Sequence, residues 1–160
     1  MKLENINKDS FTGDYENTIL EQWKTCIAEA NAISEKRNTT NNIFITINTA
    51  LFAVITFSLD YKSIFLSVIG ILICILWICA ISSYKKLNSV KYEIINEIEL
   101  MLPLVPFTVE WYRLNTKYEY VRLTKIEKFI PYMFIVLYAI SILYPVLKGL
   151  ISLICSCIGG

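Results

Sequence analysis

The sequence has 160 residues, of which 55% are hydrophobic and 18% are charged, and its mean hydropathy is positive. A chain of this length forms one domain or one membrane unit, and its hydrophobic share is high for a soluble protein. The net charge of +1 gives no indication of the basic surface that nucleic-acid binding requires, so no nucleic-acid partner is expected. The polar N-terminal residues lack the apolar core of a signal peptide.

Residue types that support catalysis or metal binding are scarce. The sequence has no histidine, and its five glycines form no phosphate-binding signature. Cys155 and Cys157 have a spacing of no known metal or redox motif, and an odd total of five cysteines does not fit a disulfide framework. We therefore expect no cofactor, no metal site and no enzymatic activity.

The first quarter of the chain predicts a helix that continues into a membrane. Residues 1–13 have no apolar periodicity and are expected to form a flexible arm. Between residues 14 and 42, apolar side chains recur every three or four positions, which predicts an amphipathic helix. These positions are Ile19, Leu20, Trp23, Ile27, Ala30 and Ile33. Nothing after residue 16 breaks this helix before the first long apolar run.

Two uncharged apolar runs, residues 43–59 and 64–81, lie only four residues apart. A helix needs roughly 20 apolar residues, and at least about 17, to cross a bilayer core of about 30 Å. The two runs therefore predict a transmembrane hairpin. The alternative is a buried helical pair in a soluble bundle, but so short a chain leaves too little material to cover two helices that are apolar all round.

A third apolar segment, residues 129–147, is predicted to cross the membrane as well. Thr124 and Glu127, three residues apart, match a capping box at the start of its helix. The apolar tail, residues 148–160, is too short to cross by itself, and it either extends this helix or lies at the interface. The predicted fold class is therefore an all-α membrane protein.

Residues 82–128 are predicted to form a small helical domain with residues 14–42. Pro103 and Pro106 interrupt the helical pattern of this segment. Beyond them, apolar side chains at spacings of four, three, four and three form a narrow seam. Its members are Phe107, Trp111, Leu114, Tyr118 and Val121. Trp23, Trp111 and Tyr118 are expected to be packing anchors.

The basic residues beside the three apolar segments predict the orientation. One side of the membrane would hold Lys36, Arg37, Lys85, Lys86, Lys125 and Lys128, whereas the other holds only Lys62 and Lys148. Because basic residues concentrate in cytoplasmic loops, the N-terminal helix and residues 82–128 are predicted to be cytoplasmic. The hairpin turn and the tail are predicted to lie outside.

A line of polar residues accompanies the first apolar segment. Arg37, Asn41, Asn48 and Thr56 follow one another at spacings of four, seven and eight, and Thr49 adjoins Asn48. A polar side chain within hydrocarbon is costly unless it meets water or bonds to another helix. Two interpretations remain open. These residues line a pore formed by several copies, or they form interhelical hydrogen bonds that fix the register of an oligomer.

Several strings of this sequence resemble a known family. They are Leu20-Glu21-Gln22-Trp23-Lys24, Ile33-Ser34-Glu35-Lys36-Arg37, the run from Asn41 to Leu51, Pro106-Phe107, Glu110-Trp111 and Thr124-Lys125-Ile126-Glu127. Over residues 16–140, the chain resembles the RipA-type small octameric bacterial membrane proteins. The resemblance implies a homo-oligomeric ring, an octamer. A weaker similarity, to two-helix membrane effectors of bacterial antiviral defence, implies that triggered oligomerisation breaches the membrane.

The sequence thus leads to one functional hypothesis and one alternative. We expect a homo-oligomeric protein of the bacterial inner membrane that forms or gates a pore as a membrane-disrupting effector in phage defence. Its partners would be the lipid bilayer, further copies of itself and a cytoplasmic protein trigger. The alternative is a non-conducting oligomeric scaffold that presents its cytoplasmic helices to a protein partner.

Overall fold

The computed structural model describes residues 3, 8–57, 61–118 and 123–158. Within these residues the chain is helical almost throughout and contains no strand. A short 3₁₀ turn, Lys8–Ser10, precedes four α-helices. These are α1 (Tyr15–Phe57), α2 (Tyr61–Glu99), α3 (Pro106–Thr116) and α4 (Leu123–Ile158). The predicted all-α class is confirmed.

Helix α1 joins the amphipathic stretch and the first apolar run in one element. Asp14 precedes it, and its carboxylate Oδ1 accepts a hydrogen bond from the backbone N–H of Asn17 at 3.1 Å, as a helix-capping aspartate does. No glycine or proline occurs within Tyr15–Phe57, so no residue of the two strongest helix-breaking types interrupts the backbone hydrogen bonds. Residues 1, 2 and 4–7 of the predicted flexible arm, and residues 58–60 between α1 and α2, lie outside the described residues.

Three of the four helices, α1, α2 and α4, are long and apolar enough to cross a bilayer. The transmembrane hairpin and the third membrane-spanning helix are therefore confirmed. Helix α4 continues to Ile158 and thus includes most of the apolar tail. Pro131 and Pro145 both lie within α4, where proline is tolerated in membrane helices because neighbouring groups satisfy the freed backbone carbonyls.

The described residues divide into two compact units. One, here called the polar unit, comprises those within Met1–Arg37 and Ser83–Arg122. The other, here called the membrane unit, comprises those within Asn38–Ser82 and Leu123–Gly160. The membrane unit therefore takes residues from α1, α2 and α4, whereas α3 belongs entirely to the polar unit.

In the polar unit, α1 and α2 are held together by buried apolar residues and by two polar bridges. The buried residues are Ile19, Ala30, Ile95 and Ile98. Asn88 donates a hydrogen bond to the hydroxyl of Ser34 at 3.1 Å, and Lys91 forms an ion pair with Glu29. The Lys91 ammonium donates a hydrogen bond to the Glu29 carboxylate, and this bond together with its positive charge holds the pKa of the Glu29 carboxyl below its usual value.

The last residue of α2, Glu99, fixes α3 in the polar unit. Its side chain is fully buried. The two carboxylate oxygens accept hydrogen bonds from the backbone N–H groups of Phe107 at 3.0 Å and Thr108 at 3.1 Å, and from the Thr108 hydroxyl at 3.0 Å. Val105, the residue that precedes α3, provides no side-chain cap. Glu99 therefore caps α3 from a different helix, and a carboxylate is also favoured there by the helix dipole.

The aromatic ring of Phe107 forms the main contact of α3. It lies 5.9 Å from the ring of Trp23 on α1 and 6.1 Å from that of Tyr92 on α2. Trp23 is accordingly half-buried. In contrast, Trp111 and Tyr118 are 49% and 66% exposed.

Two of the three predicted packing anchors therefore do not anchor the single chain. Phe107 and Leu114, seven residues apart, are the half-buried members of the predicted seam. Helix α3 ends at Thr116, so Tyr118 lies beyond the last helical turn and cannot continue this face. Val121 lies outside the described residues. Packing of Trp111 or Tyr118 against another molecule stays a prediction.

Candidate functional site

The membrane unit is organised around one face of α1. Asn41, Asn48 and Ile55 are spaced seven residues apart, so they lie on nearly the same side of the helix. Asn48 and Ile55 are 0% and 1% exposed, and Asn41 is half-buried. Side chains of α2 and α4 pack against this face, here called the inner face of α1.

The amide of Asn48 connects all three membrane-spanning helices. Its oxygen accepts hydrogen bonds from the hydroxyl of Tyr138 on α4 at 3.0 Å and from the thiol of Cys74 on α2 at 3.2 Å. The Tyr138 hydroxyl also lies 3.1 Å from the backbone oxygen of Asn48. The amide nitrogen donates to the backbone oxygen of Phe44 at 2.8 Å. The polar atoms of this side chain are thus satisfied inside one chain, as burial requires.

A second polar layer lies two helical turns away, at Asn41. The indole N–H of Trp77 on α2 donates to the Asn41 amide oxygen at 2.8 Å, and the Asn41 amide nitrogen donates to the Glu127 carboxylate on α4 at 3.2 Å. Trp77 is 1% exposed. Its ring stacks on Phe44 with a centroid distance of 5.7 Å and an interplanar angle of 5°.

The position of Glu127 bears on the predicted capping box. Helix α4 begins at Leu123, one residue before Thr124, so Thr124 lies in the first helical turn and not before it. The Glu127 carboxylate accepts a hydrogen bond from Asn41, across helices. Because helix boundaries are defined only to within one or two residues, the capping role of this pair stays a prediction.

Close packing of α2 on α4 depends on Gly70. A Cβ atom at this position would lie 2.4–2.7 Å from three ring carbons of Tyr138, well inside van der Waals contact. Tyr138 is fully buried, with Phe52 and Phe134 around it. Only glycine therefore allows the Tyr138 ring to lie against α2 and reach Asn48.

These contacts bear on the two interpretations that the sequence left open for Asn41 and Asn48. Neither side chain is available to line a pore, because both are bonded to α2 and α4 of the same chain. The alternative interpretation, interhelical hydrogen bonding, describes them better. Its partners, however, come from within the chain and not from other copies. Arg37, which was grouped with them, is half-buried and belongs to the polar unit.

A different face of α1 carries exposed polar groups through the membrane-spanning segment. Its members alternate at spacings of three and four residues, the pattern of a straight stripe along one helix side. We call it the exposed polar stripe: Thr39, Asn42, Thr46, Thr49, Ala53 and Thr56. All six are exposed. Thr49 and Thr56 of the predicted polar face lie here.

Sequence reasoning missed three members of this stripe as a set, namely Thr39, Asn42 and Thr46. The signal that identifies them is their regular spacing with Thr49 and Thr56. The predicted line instead connected Arg37, Asn41, Asn48 and Thr56 at spacings of four, seven and eight, and thereby joined residues from two different faces of α1.

The polar atoms of the stripe are only partly satisfied within the described part of the chain. The hydroxyls of Thr46 and Thr56 donate to the backbone oxygens of Asn42 and Ala53, at 2.9 and 2.7 Å. The Asn42 amide and the Thr49 hydroxyl have no such bond to any described residue. A shallow hollow of about 320 Å³ lies at the same position, lined by Thr39, Asn42, Ile43, Thr46 and Ile47.

Comparison with known proteins identifies the family. The model of one family, described as the octameric membrane protein family, matches residues 20–147. The chain belongs to the octameric membrane protein family. The resemblance inferred from the sequence is therefore confirmed, together with a membrane location and an octameric assembly. The chain matches no curated protein and no solved structure at a significant level.

Membership of the octameric membrane protein family gives the exposed polar stripe a context. In an octamer of this family, eight identical copies of α1 each carry one stripe. The inner face of α1, in contrast, is already occupied by the chain's own α2 and α4. The stripe is therefore a polar surface of α1 that the contacts among the described residues leave exposed.

Proposed function

We propose that the homo-octamer forms a water-filled pore lined by the exposed polar stripe of α1. We further propose that it acts as a membrane-disrupting effector in phage defence. In this proposal the protein resides in the bacterial inner membrane, with the N-terminus and residues 82–128 in the cytoplasm. The basic residues beside the three membrane-spanning segments support this orientation.

The observation that carries the proposal is the exposure of Asn42 and Thr49 without a hydrogen-bond partner in the described chain. Transfer of an unpaired amide or hydroxyl from water into an apolar medium costs about 2–7 kcal/mol. Threonine can reduce this cost by bonding to its own helix backbone, as Thr46 and Thr56 do. Asn42 makes no such bond to a described residue. Its side chain therefore favours water or protein over lipid.

The length of the stripe favours water over a simple helix contact. Residues 39–56 extend over about 25 Å of helix at 1.5 Å per residue, which is close to the bilayer core of about 30 Å. An interface between two helices is fixed by a few polar contacts. A row of hydroxyl and amide groups, interrupted by Ala53, extends across nearly the whole core, as the lining of a water-filled lumen would.

Flux through liposomes tests the pore. We expect the purified octamer to make liposomes permeable to K⁺. Asn42→Leu should lower that permeability at least about tenfold, because apolar constrictions in a lumen close by dewetting. Asn42→Gln keeps the amide and should retain most of the flux. Val54→Leu, which changes an exposed apolar residue of α1 outside the stripe, is the matched control.

Liposomes that stay impermeable although they contain native octamers would contradict the pore. Equal flux through the native protein and Asn42→Leu would contradict the assignment of the lumen to this face.

The proposed role in defence has its own test. Bacteria that express the chain should lose membrane potential during phage infection and should release fewer phage than cells that express Asn42→Leu. The reason is that collapse of the potential stops growth before phage replication is complete. Normal phage yield together with an unchanged membrane potential would contradict the role in defence and would leave the pore itself untouched.

A second candidate function, the non-conducting scaffold, has one observation in its favour. Trp111 and Tyr118 remain largely exposed on the polar unit, and aromatic side chains are enriched where proteins bind one another. Impermeable liposomes together with capture of a partner that depends on Trp111 would favour the scaffold.

A further inference from the structure

Two helix faces of the polar unit carry charges of opposite sign that have no partner in the described chain. On α2, Glu93 and Glu97 are exposed one turn apart, and Val90, 52% exposed, precedes them on the same side. We call this the acidic face. Among the described residues, neither carboxylate takes part in an ion pair or a side-chain hydrogen bond.

The second face lies on α3. Arg113 and the residue that ends the helix, Lys117, are exposed one turn apart, and Tyr112, 65% exposed, lies beside them. We call this the basic face. It lies beside the half-buried side of α3, which Phe107 and Leu114 form. The side chains of Arg113 and Lys117 likewise have no charged partner among the described residues.

Each face gathers charges of one sign. Like charges at positions i and i+4 of a helix repel one another, as Glu93 and Glu97 do on α2, and Arg113 lies four residues before Lys117, the residue that follows the end of α3. The repulsion disappears when a surface of opposite charge covers the face. Each face also has one charge of the opposite sign close to it, and these two charges complement each other. Lys86 precedes Val90 by one turn on α2, and Glu110 precedes Arg113 by three residues on α3.

We propose that the acidic face of one copy docks on the basic face of the next copy in the octamer. A closed cyclic assembly uses heterologous interfaces, in which a patch on one subunit meets a different patch on its neighbour. The two faces fit this requirement, since each has an apolar residue beside two charges and the charges are complementary. The proposal rests on the octamer of the family and on the cyclic arrangement of the proposed function, and not on conduction.

Charge reversal tests the docking. In native mass measurements, the octamer should have eight times the chain mass of 18.5 kDa. We expect the combined change Glu93→Lys and Glu97→Lys to abolish this species, because like charges across an interface oppose association. Arg113→Glu with Lys117→Glu should do the same. A chain that carries all four changes should form the octamer again.

Mixing provides a second rescue that needs no chain with four changes. Each double variant retains one native face. In an equimolar mixture, the two variants can alternate around the ring. Every interface then joins faces of opposite charge, either two native faces or two reversed faces, and the octamer should assemble. Glu16→Lys with Glu21→Lys changes the net charge by the same amount on exposed positions of α1, and it should leave the octamer intact.

Two outcomes would overturn the docking. One is an octamer that persists in both double reversals. The other is loss of the octamer that neither the four-fold change nor mixing restores, with helical circular dichroism unchanged. Neither outcome bears on ion flux. A native octamer that conducts but ignores these reversals rejects only the docking, and one that responds to them without conducting rejects only the pore.

Discussion

Gly70→Ala is expected to destabilise the membrane unit by about 1–3 kcal/mol, the usual cost of overpacking a closely packed core. The added Cβ would lie 2.4 Å from the Cζ atom of Tyr138. The ring cannot move away at no cost, because its hydroxyl is bonded to Asn48 at 3.0 Å and the side chain is fully buried. Either α2 moves away from α4, or Tyr138 loses its bond to α1. The thermal midpoint of the detergent-solubilised octamer should fall accordingly.

A double-mutant cycle isolates the contact behind this effect. Tyr138→Leu removes the ring and should be destabilising by itself, since it leaves a cavity and removes one of the two donors to the Asn48 amide oxygen. If the clash is with the ring, Gly70→Ala should cost much less when Tyr138→Leu is already present. Additive effects of the two changes would show that Gly70 matters for another reason. A native midpoint for Gly70→Ala would contradict the packing of α2 on α4 described above.

The helices of this chain could be predicted from its sequence because each depends on local information. The apolar segments exceed the length that a bilayer requires, and the absence of glycine and proline between Tyr15 and Phe57 is sufficient to predict that α1 continues into the membrane. The end of α4 was left open, because an apolar tail is compatible with either a helix or an interfacial segment.

The polar face of α1 was predicted less well, for a geometric reason. A step of eight residues rotates a side chain by about 80° around a helix of 3.6 residues per turn, so Thr56 does not lie below Asn48. One residue corresponds to about 100°, which separates Thr49 from Asn48. Spacing also does not reveal which face meets the chain's own helices. The face that is buried depends on contacts between residues far apart in sequence, such as the hydrogen bond from Tyr138 to Asn48, which are 90 residues apart.

The hydrogen bonds by which Glu99 of α2 caps α3 had no recognisable signal in the sequence. Glu99 precedes a proline-containing loop, and such a glutamate is usually solvent-exposed. Its burial follows from the reversal of the chain at Leu100–Val105, which places the first N–H groups of α3 beside the end of α2. The exposure of Tyr118 could not be predicted for a related reason, because regular spacing of apolar residues does not show that the helix ends at Thr116.

Asn48→Leu is the second change with a large expected effect, and the structure predicts that it acts on stability and not on conduction. Leucine has the branched outline of asparagine, but its terminal groups are bulkier and it provides no acceptor, so the Cys74 thiol would lose its partner and Tyr138 would lose one of its two. The hydroxyl of Tyr138 would keep the backbone oxygen of Asn48 at 3.1 Å. Interhelical hydrogen bonds in membranes contribute about 0.6 kcal/mol on average and up to about 1.7. The lost bonds should cost an amount in the upper part of this range, and the bulkier leucine adds a cost of overpacking at this fully buried position.

The contrast between Asn48→Leu and Asn42→Leu separates the two faces of α1. The two changes make the same replacement on one helix, six residues apart. Asn48→Leu should lower the thermal midpoint of the octamer, while the octamers that remain should conduct K⁺ like the native protein. Asn42→Leu should leave the midpoint nearly unchanged and reduce the flux. If Asn48→Leu instead blocked flux at a native midpoint, the inner face of α1 would have to meet water, and the hydrogen bonds from Tyr138 and Cys74 could not describe the assembled protein.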